Sequence, residues 1–168
     1  MKIISWNIRG LNNPHKQDIL KNLIRDNRPD ILAIQETKMP KAKVENLSMF
    51  QGGKIIRNDS AGASGGLAIF WSSRWIQGEI ISQHPNFMNV RFINSKDNFC
   101  WILTNVYGPN SKWGRKAVWT EILNQRKSFE EDNWIVIGDF NAPLKEHEKW
   151  GGSQMLMDSR IDLMEFID

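Results

Sequence analysis

Five polar residues stand out because each closes a short apolar run. Asn7 ends the run that starts at Lys2, Glu36 follows Ile31–Gln35, and Tyr107 follows Asn105-Val106. Asp139 and Asn141 lie just past Trp134–Gly138. In sheets whose loops carry the ligand site, these are the positions from which side chains reach a ligand, and a buried polar group there needs a partner. Two carboxylates, two amides and a phenol offer oxygen chemistry: ligation of a hard cation, proton transfer and hydrogen-bond donation. Each residue also has a plainer reading. Asn7 suits a turn, Glu36 a solvated loop acid ahead of Thr37-Lys38-Met39-Pro40, and Asp139 with Asn141 an Asx-turn.

The elements that must position them follow from hydrophobic period and turn chemistry. Lys2–Asn7 reads as a buried strand. Asn12-Asn13-Pro14 starts a helix, since proline at the first helical position has no amide to waste. Ile19, Leu20, Leu23 and Ile24 give that helix an apolar face, Arg28-Pro29-Asp30 ends it, and Ile31–Gln35 is a second strand. A strand–helix–strand unit of this kind places its two strands side by side and parallel. Lys54–Arg57, Leu67–Trp71, Ile76–Ser82, Met88–Ile93 and Phe99–Val106 are short strand candidates. Between them lie turn residues such as Asn58-Asp59-Ser60, Gly65-Gly66 and Asn94–Asn98. Helical spacing returns over Trp113–Phe129, with Ala117, Trp119, Ile122 and Leu123 as packing residues. Asn133–Gly138 is a buried strand, and Ile161–Ile167 begins a helix. No repeat, linker or low-complexity segment interrupts the chain, so it reads as one α+β domain with parallel and antiparallel pairing.

Four motifs occur in order: Trp6-Asn7-Ile8-Arg9-Gly10, Gln35-Glu36-Thr37-Lys38, Asn105-Val106-Tyr107-Gly108-Pro109 and Gly138-Asp139-Phe140-Asn141. Together they resemble the opening motifs of the endonuclease/exonuclease/phosphatase superfamily, which includes DNase I-like nucleases and apurinic/apyrimidinic endonucleases. The flanks Gly10–Pro14, Pro29-Asp30-Ile31, Gly65-Gly66-Leu67-Ala68 and Glu148-Lys149-Trp150-Gly151-Gly152 look like the endonuclease domains of plant LINE-type retrotransposons. The resemblance runs from Lys2 to Asp168. It implies a four-layer α/β/β/α sandwich of the DNase I-like type, incomplete at the C-terminus, so that residues 1–168 make up the N-terminal two-thirds or so of one such domain. It also implies that the five strand-end residues converge in one polar cleft.

The activity implied is divalent-metal-dependent phosphodiester hydrolysis, a DNA endonuclease. That reaction needs a hard cation, an activated water and donors for developing charge. Mg²⁺ (with Mn²⁺ as a substitute) takes oxygen ligands and often only one or two carboxylates, so Glu36 is the natural ligand and the Asn7 amide oxygen a supporting one. By the resemblance, Asp139 orients or deprotonates the water and Asn141 holds the phosphate or the catalytic groups. Tyr107 reaches the phosphate as a hydrogen-bond donor, its unperturbed pKa being near 10. Position 9 is Arg where the apurinic/apyrimidinic enzymes carry an acid. The late Asp and the Ser-Asp-His-like motif that complete the family's site are not in this sequence, which implies impaired catalysis. The alternative is a non-catalytic, retroelement-derived remnant with at most weak nucleic-acid binding, and a phosphatase of the same superfamily is a third reading. None of the histidines supplies the missing group: His15 is in a helix's first turn, His84 precedes Pro85 in a turn, and His147 sits in a charged run.

Composition bounds these readings. The chain has 168 residues, 40% of them hydrophobic and 24% charged, which supports a buried core and argues against disorder. Its formal charge of +3 is compatible with an anionic partner such as DNA. One cysteine, Cys100, excludes an internal disulfide and a cysteine-built zinc site, and it suits a reducing, intracellular compartment, the nucleus included. Apolar runs fall far short of the roughly 20 residues a membrane span needs, no signal peptide is present, and no protein partner is implied. The chain has eight Trp residues, and three of them are interleaved with cations in Trp71–Trp75 and Lys112–Lys116, a pattern that fits base stacking, although core filling accounts for most of the rings. Lys112, Arg115 and Lys116 are the candidates for contacts to a phosphate backbone. Gly62–Gly66 lacks the Gly-Lys-Ser/Thr ending of a phosphate loop and reads as a hairpin connection.

Overall fold

The computed structural model describes residues 1–40, 49–50, 52–61, 64–129, 133–143 and 155–167. His147 and the Glu148–Gly152 flank lie outside these. The described chain falls into two units, Met1–Tyr107 with Asp132–Asp139, and Gly108–Glu131 with Phe140–Asp168.

The first unit is a two-sheet sandwich. Strands β1 (Ile3–Asn7), β2 (Ile31–Gln35), β3 (Gly53–Ala61) and β4 (Ser64–Ser72) form one sheet in the order β1-β2-β4-β3. β5 (Ile76–His84), β6 (Phe87–Asn94), β7 (Cys100–Tyr107) and β8 (Asn133–Asp139) form the other in sequence order. The β1–β2 and β7–β8 pairs are parallel and the rest antiparallel, so both sheets are mixed. β2 alternates perfectly between two buried faces. Ile31 and Ala33 join Leu67, Ile69, Trp71, Val90, Phe92, Trp101 and Leu103 between the sheets, while Leu32 and Ile34 pack outward with Ala68 and Phe70. That outer layer is closed by helix α1 (Pro14–Asn27), whose Leu20 is fully buried. Buried on both faces, β2 has to be a continuous apolar run.

Helix α1 starts as its sequence dictates. Asn13 caps it by accepting the His15 amide, Pro14 takes the first turn, and Arg28 ends it in a left-handed conformation with its N–H on the Ile24 carbonyl. Asn58-Asp59-Ser60, however, lies inside β3 and not in a turn. Pairing of Asn58 with Leu67 and Ser60 with Gly65 extends the hairpin over residues whose own strand preference is low.

The second unit holds α2 (Lys112–Arg126), a 3₁₀ turn (Lys127–Phe129) and α3 (Met155–Ile167). α2 buries Arg115, Val118, Trp119 and Ile122, so the apolar stripe is rotated from the expected one and leaves Ala117 and Leu123 exposed. Trp119 stacks on Phe166 of α3 with ring centres 5.0 Å apart and tilts against Phe140 at 5.6 Å. α3 begins at Met155, six residues before the expected start at Ile161. No helix among the described residues is long and apolar enough to cross a membrane.

Candidate functional site

Four of the expected residues meet at one end of the sandwich. Parallel pairing fixes this: Asn7 is opposite Gln35 across β1–β2, and Tyr107 is opposite Asp139 across β7–β8, so two strand ends from each sheet finish together. The Asn7 amide nitrogen donates to Glu36 Oε1 at 3.0 Å and to Asp139 Oδ2 at 2.7 Å. The Tyr107 hydroxyl donates to the same Glu36 oxygen at 2.8 Å, and Lys38 Nζ contacts Glu36 Oε2 at 2.9 Å. Burial by itself would raise the pKa of the Glu36 carboxyl. Hydrogen bonds from Asn7, Lys38 and Tyr107, with the Lys38 charge, outweigh it and hold the pKa at about 2. Glu36 is therefore an anion at neutral pH.

The backbone is shaped for this arrangement. Glu36, Lys38 and Arg9 all have left-handed φ values near 50°, an uncommon conformation for residues with a Cβ. Backbone bonds zip the two loops together: Gly10 N–H to the Glu36 carbonyl at 2.7 Å and Leu11 N–H to Thr37 at 2.8 Å. Thr37 and Lys38 in turn donate to the carbonyls of Gly66 and Gly65, which ties the Gly-Gly segment to the site loop. Gly138 is required before Asp139. Its φ is +141°, and a Cβ there would lie 2.0 Å from the Val106 carbonyl oxygen.

Three positioning residues escaped the sequence reading. Gln35 and Asn105 are buried polar side chains between the sheets, joined by a 2.6 Å bond from Gln35 Nε2 to Asn105 Oδ1. Asn105 Nδ2 donates on to the carbonyls of Ile34 and Ala68 at 3.2 and 3.3 Å, so β7 is pinned to the first sheet just before Tyr107 and Glu36. Asn86 clamps Tyr107 from the β5–β6 turn, accepting its N–H at 2.7 Å and donating to its carbonyl at 2.9 Å. A polar residue inside an apolar strand was the available signal for Gln35 and Asn105. Asn86 had none, because an Asn in a turn is commonplace.

Other expected residues are placed differently. Asn7 turns its amide oxygen to the Arg9 N–H at 3.0 Å, and it is the nitrogen that faces the two carboxylates. As placed, it bridges the acids and is not aligned as an oxygen ligand. Asn141 belongs to the second unit, where its Nδ2 donates to the Gly108 carbonyl at 2.6 Å. In the same unit Arg115 is buried and donates to the carbonyls of Pro109 and Asn110 at 3.1 and 2.7 Å, so it braces the loop ahead of α2 and does not face solvent. Lys112 and Lys116 lie on the same helix, Lys116 at 3.9 Å from Asp162.

The donor chemistry of the cluster fits a hard divalent cation. Glu36 is ionised and Asp139 is linked to it through one amide, which gives the small number of carboxylate oxygens that Mg²⁺ accepts.

Comparison with known proteins identifies the family and the fold. Residues 4–162 match the sequence model of a family described as Endonuclease/Exonuclease/phosphatase family. A functionally unknown conserved protein from Enterococcus faecalis superposes with a TM-score of 0.71 at 18% identity, covering 98% of this chain and 72% of that one. The 3′ phosphatase NExo from Neisseria, solved with a product DNA hairpin, gives 0.66 at 21% identity, covering 99% and 71%. A mannosyl-6-phosphatase from Bacteroides thetaiotaomicron gives 0.68 at 15% identity, covering 96% and 70%. At these identities the likeness establishes the fold, a DNase I-like α/β sandwich.

Proposed function

The chain belongs to the endonuclease/exonuclease/phosphatase family, and from that premise we propose that it hydrolyses phosphodiester bonds in DNA, as an endonuclease of the plant LINE-type retrotransposon kind. Members of the family act on phosphate esters by divalent-metal-dependent hydrolysis. The observation that supports this reading best is the ionised Glu36 carboxylate, fixed by three donors and linked through Asn7 to a second carboxylate. DNA as substrate, and Mg²⁺ as the metal, rest on the motif resemblance described above.

Each residue then has a task. Glu36, with Asp139 nearby, would hold the metal, which supplies Lewis-acid neutralisation of phosphate charge when bound. The Asp139 carboxylate takes a proton from the attacking water, which becomes the nucleophile. The Tyr107 hydroxyl, already a donor in the cluster, turns toward a phosphate oxygen. Asn7 keeps the two acids in register. Asn141, Lys112 and Lys116 are assigned to phosphate contacts by the resemblance alone. Arg115 is better assigned to bracing its loop, since its guanidinium is buried on two carbonyls.

These 168 residues contain no Ser-Asp-His sequence, whose His in the family donates to or polarises the phosphate. A positioned acid–base group contributes about 10²–10⁴ in rate, so the chain by itself is expected to be slow by that order. The second reading is a non-catalytic, retroelement-derived remnant with at most weak nucleic-acid binding. Nicking of supercoiled plasmid in Mg²⁺ decides between them. Slow nicking abolished by EDTA and by Glu36→Gln supports hydrolysis. Equal traces from wild type and Glu36→Gln reject it.

A further inference from the structure

The end of the sandwich opposite the candidate site carries a cavity of about 370 Å³. It opens where β2 begins and β4 ends, between Asp30 and Ser72. The five residues of β2 put it about 17 Å from Glu36 at the usual strand rise, so it is not part of the catalytic cluster.

Its lining is unusual in three respects. Trp75 is 60% exposed although its backbone is held, its carbonyl accepting the Ser95 N–H at 2.9 Å. An indole fixed on a rigid turn and left in water is a stacking surface. Arg28 and Arg74 are both exposed, and neither guanidinium has a hydrogen bond or ion pair among the described residues. Asp30, the acid in the lining, has Oδ2 occupied by the Lys2 amide at 2.7 Å, so the lining carries two guanidinium groups and one partly satisfied carboxylate. Met49 and Phe50 supply an apolar wall.

An aromatic platform, an apolar wall and two unpaired forks for anionic oxygens are the complement of a planar base carrying a phosphate. The volume lies near the lower end of the range for small-ligand sites, roughly 300–1,000 Å³, and suits one nucleotide better than a duplex. We propose that this cavity binds a nucleoside phosphate, either free or as one nucleotide of a single strand, with the base on Trp75 and the phosphate on Arg28 and Arg74. A strand held here would be gripped at the end remote from the candidate hydrolytic site.

The test uses the whole chain in EDTA, so it does not depend on hydrolysis. Binding of a fluorescein-labelled ten-nucleotide oligo(dT) is followed by anisotropy, and AMP is titrated while the indole N–H resonance of Trp75, assigned with Trp75→Phe, is observed. Trp75→Ala should weaken binding by about 5–150-fold, since one stacked base is worth about 1–3 kcal/mol, and Arg74→Ala should also weaken it by removing a charge-assisted contact to the phosphate. Arg28→Asn should do the same without strain, because Asn tolerates the left-handed backbone at that position. All three positions are exposed, and unchanged melting curves would show that the fold is intact. If AMP shifts the Trp75 resonance and displaces the oligonucleotide, the ligand is a free nucleotide. If the oligonucleotide binds through these residues and AMP does not, it is a strand. If the Trp75 resonance stays fixed and oligonucleotide affinity is the same in all three variants, the assignment is overturned, whatever the outcome of plasmid nicking.

Discussion

Replacing Asn105 with Leu should destabilise the protein far more than a change of one similar-sized residue suggests. Gln35 Nε2 loses its 2.6 Å acceptor and keeps only Ser5 Oγ at 3.0 Å and a long 3.4 Å contact to the Ala33 carbonyl. One of its two buried N–H groups is then left with only the long Ala33 contact, at a cost of about 1–3 kcal/mol. The carbonyls of Ile34 and Ala68 each lose a donor at 3.2–3.3 Å, which adds a smaller amount. The sum is about 2–4 kcal/mol, a large share of a typical stability of about 5–15 kcal/mol. For a chain of this length it corresponds to a fall in Tm of roughly 5–15 °C. Gln35→Leu should cost about 1–3 kcal/mol, mainly by stranding Asn105 Oδ1. The double variant removes both halves of the bond, so it should be more stable than the two single losses predict by about 1–2 kcal/mol. Urea melts of the four proteins measure this coupling. If the two losses add to within about 0.5 kcal/mol, the amide pair does not act as a unit and the reasoning fails.

Gly138→Ala should lose about 2 kcal/mol or more, because a Cβ at that left-handed φ lies 2.0 Å from the Val106 oxygen and must push β8 away from β7. A melting temperature within 2 °C of wild type, by the scale of roughly 2–4 °C per kcal/mol, would contradict that. Glu36 has a pKa of about 2 against an ordinary 4.5, so the unfolded chain binds its proton first as pH falls. Its contribution to stability, about 3 kcal/mol at most, is complete above pH 4.5 and fades as pH drops toward 2. Tyr107→Phe removes one of the donors and should move the Glu36 midpoint upward, read by carboxyl carbon shifts in an NMR titration. An unmoved midpoint would show that the hydroxyl is not a determinant.

The sequence by itself determined most of the local structure. Asn13-Pro14 starts α1 because the cap and the missing amide are local properties, and Ile31–Gln35 is a strand because β2 is apolar on both faces. Polar residues closing apolar runs marked Asn7, Glu36, Tyr107 and Asp139, since strand ends are where such a sheet presents side chains to a ligand. Where long-range pairing competes with local preference, the sequence misled. Asn58–Ser60 became strand because β4 pairs with it, and the stripe of α2 kept Trp119 and Ile122 but took in Arg115 and Val118 in place of Ala117 and Leu123. The tertiary structure alone decided which atoms meet. Asn7 and Asp139 are 132 residues apart, and Gln35 and Asn105 are 70 apart. Only register across two sheets could show that the Asn7 nitrogen, and not its oxygen, faces the acids. Hydrophobic period encodes which face of a strand is buried, but carries no record of which distant strand end will lie beside it.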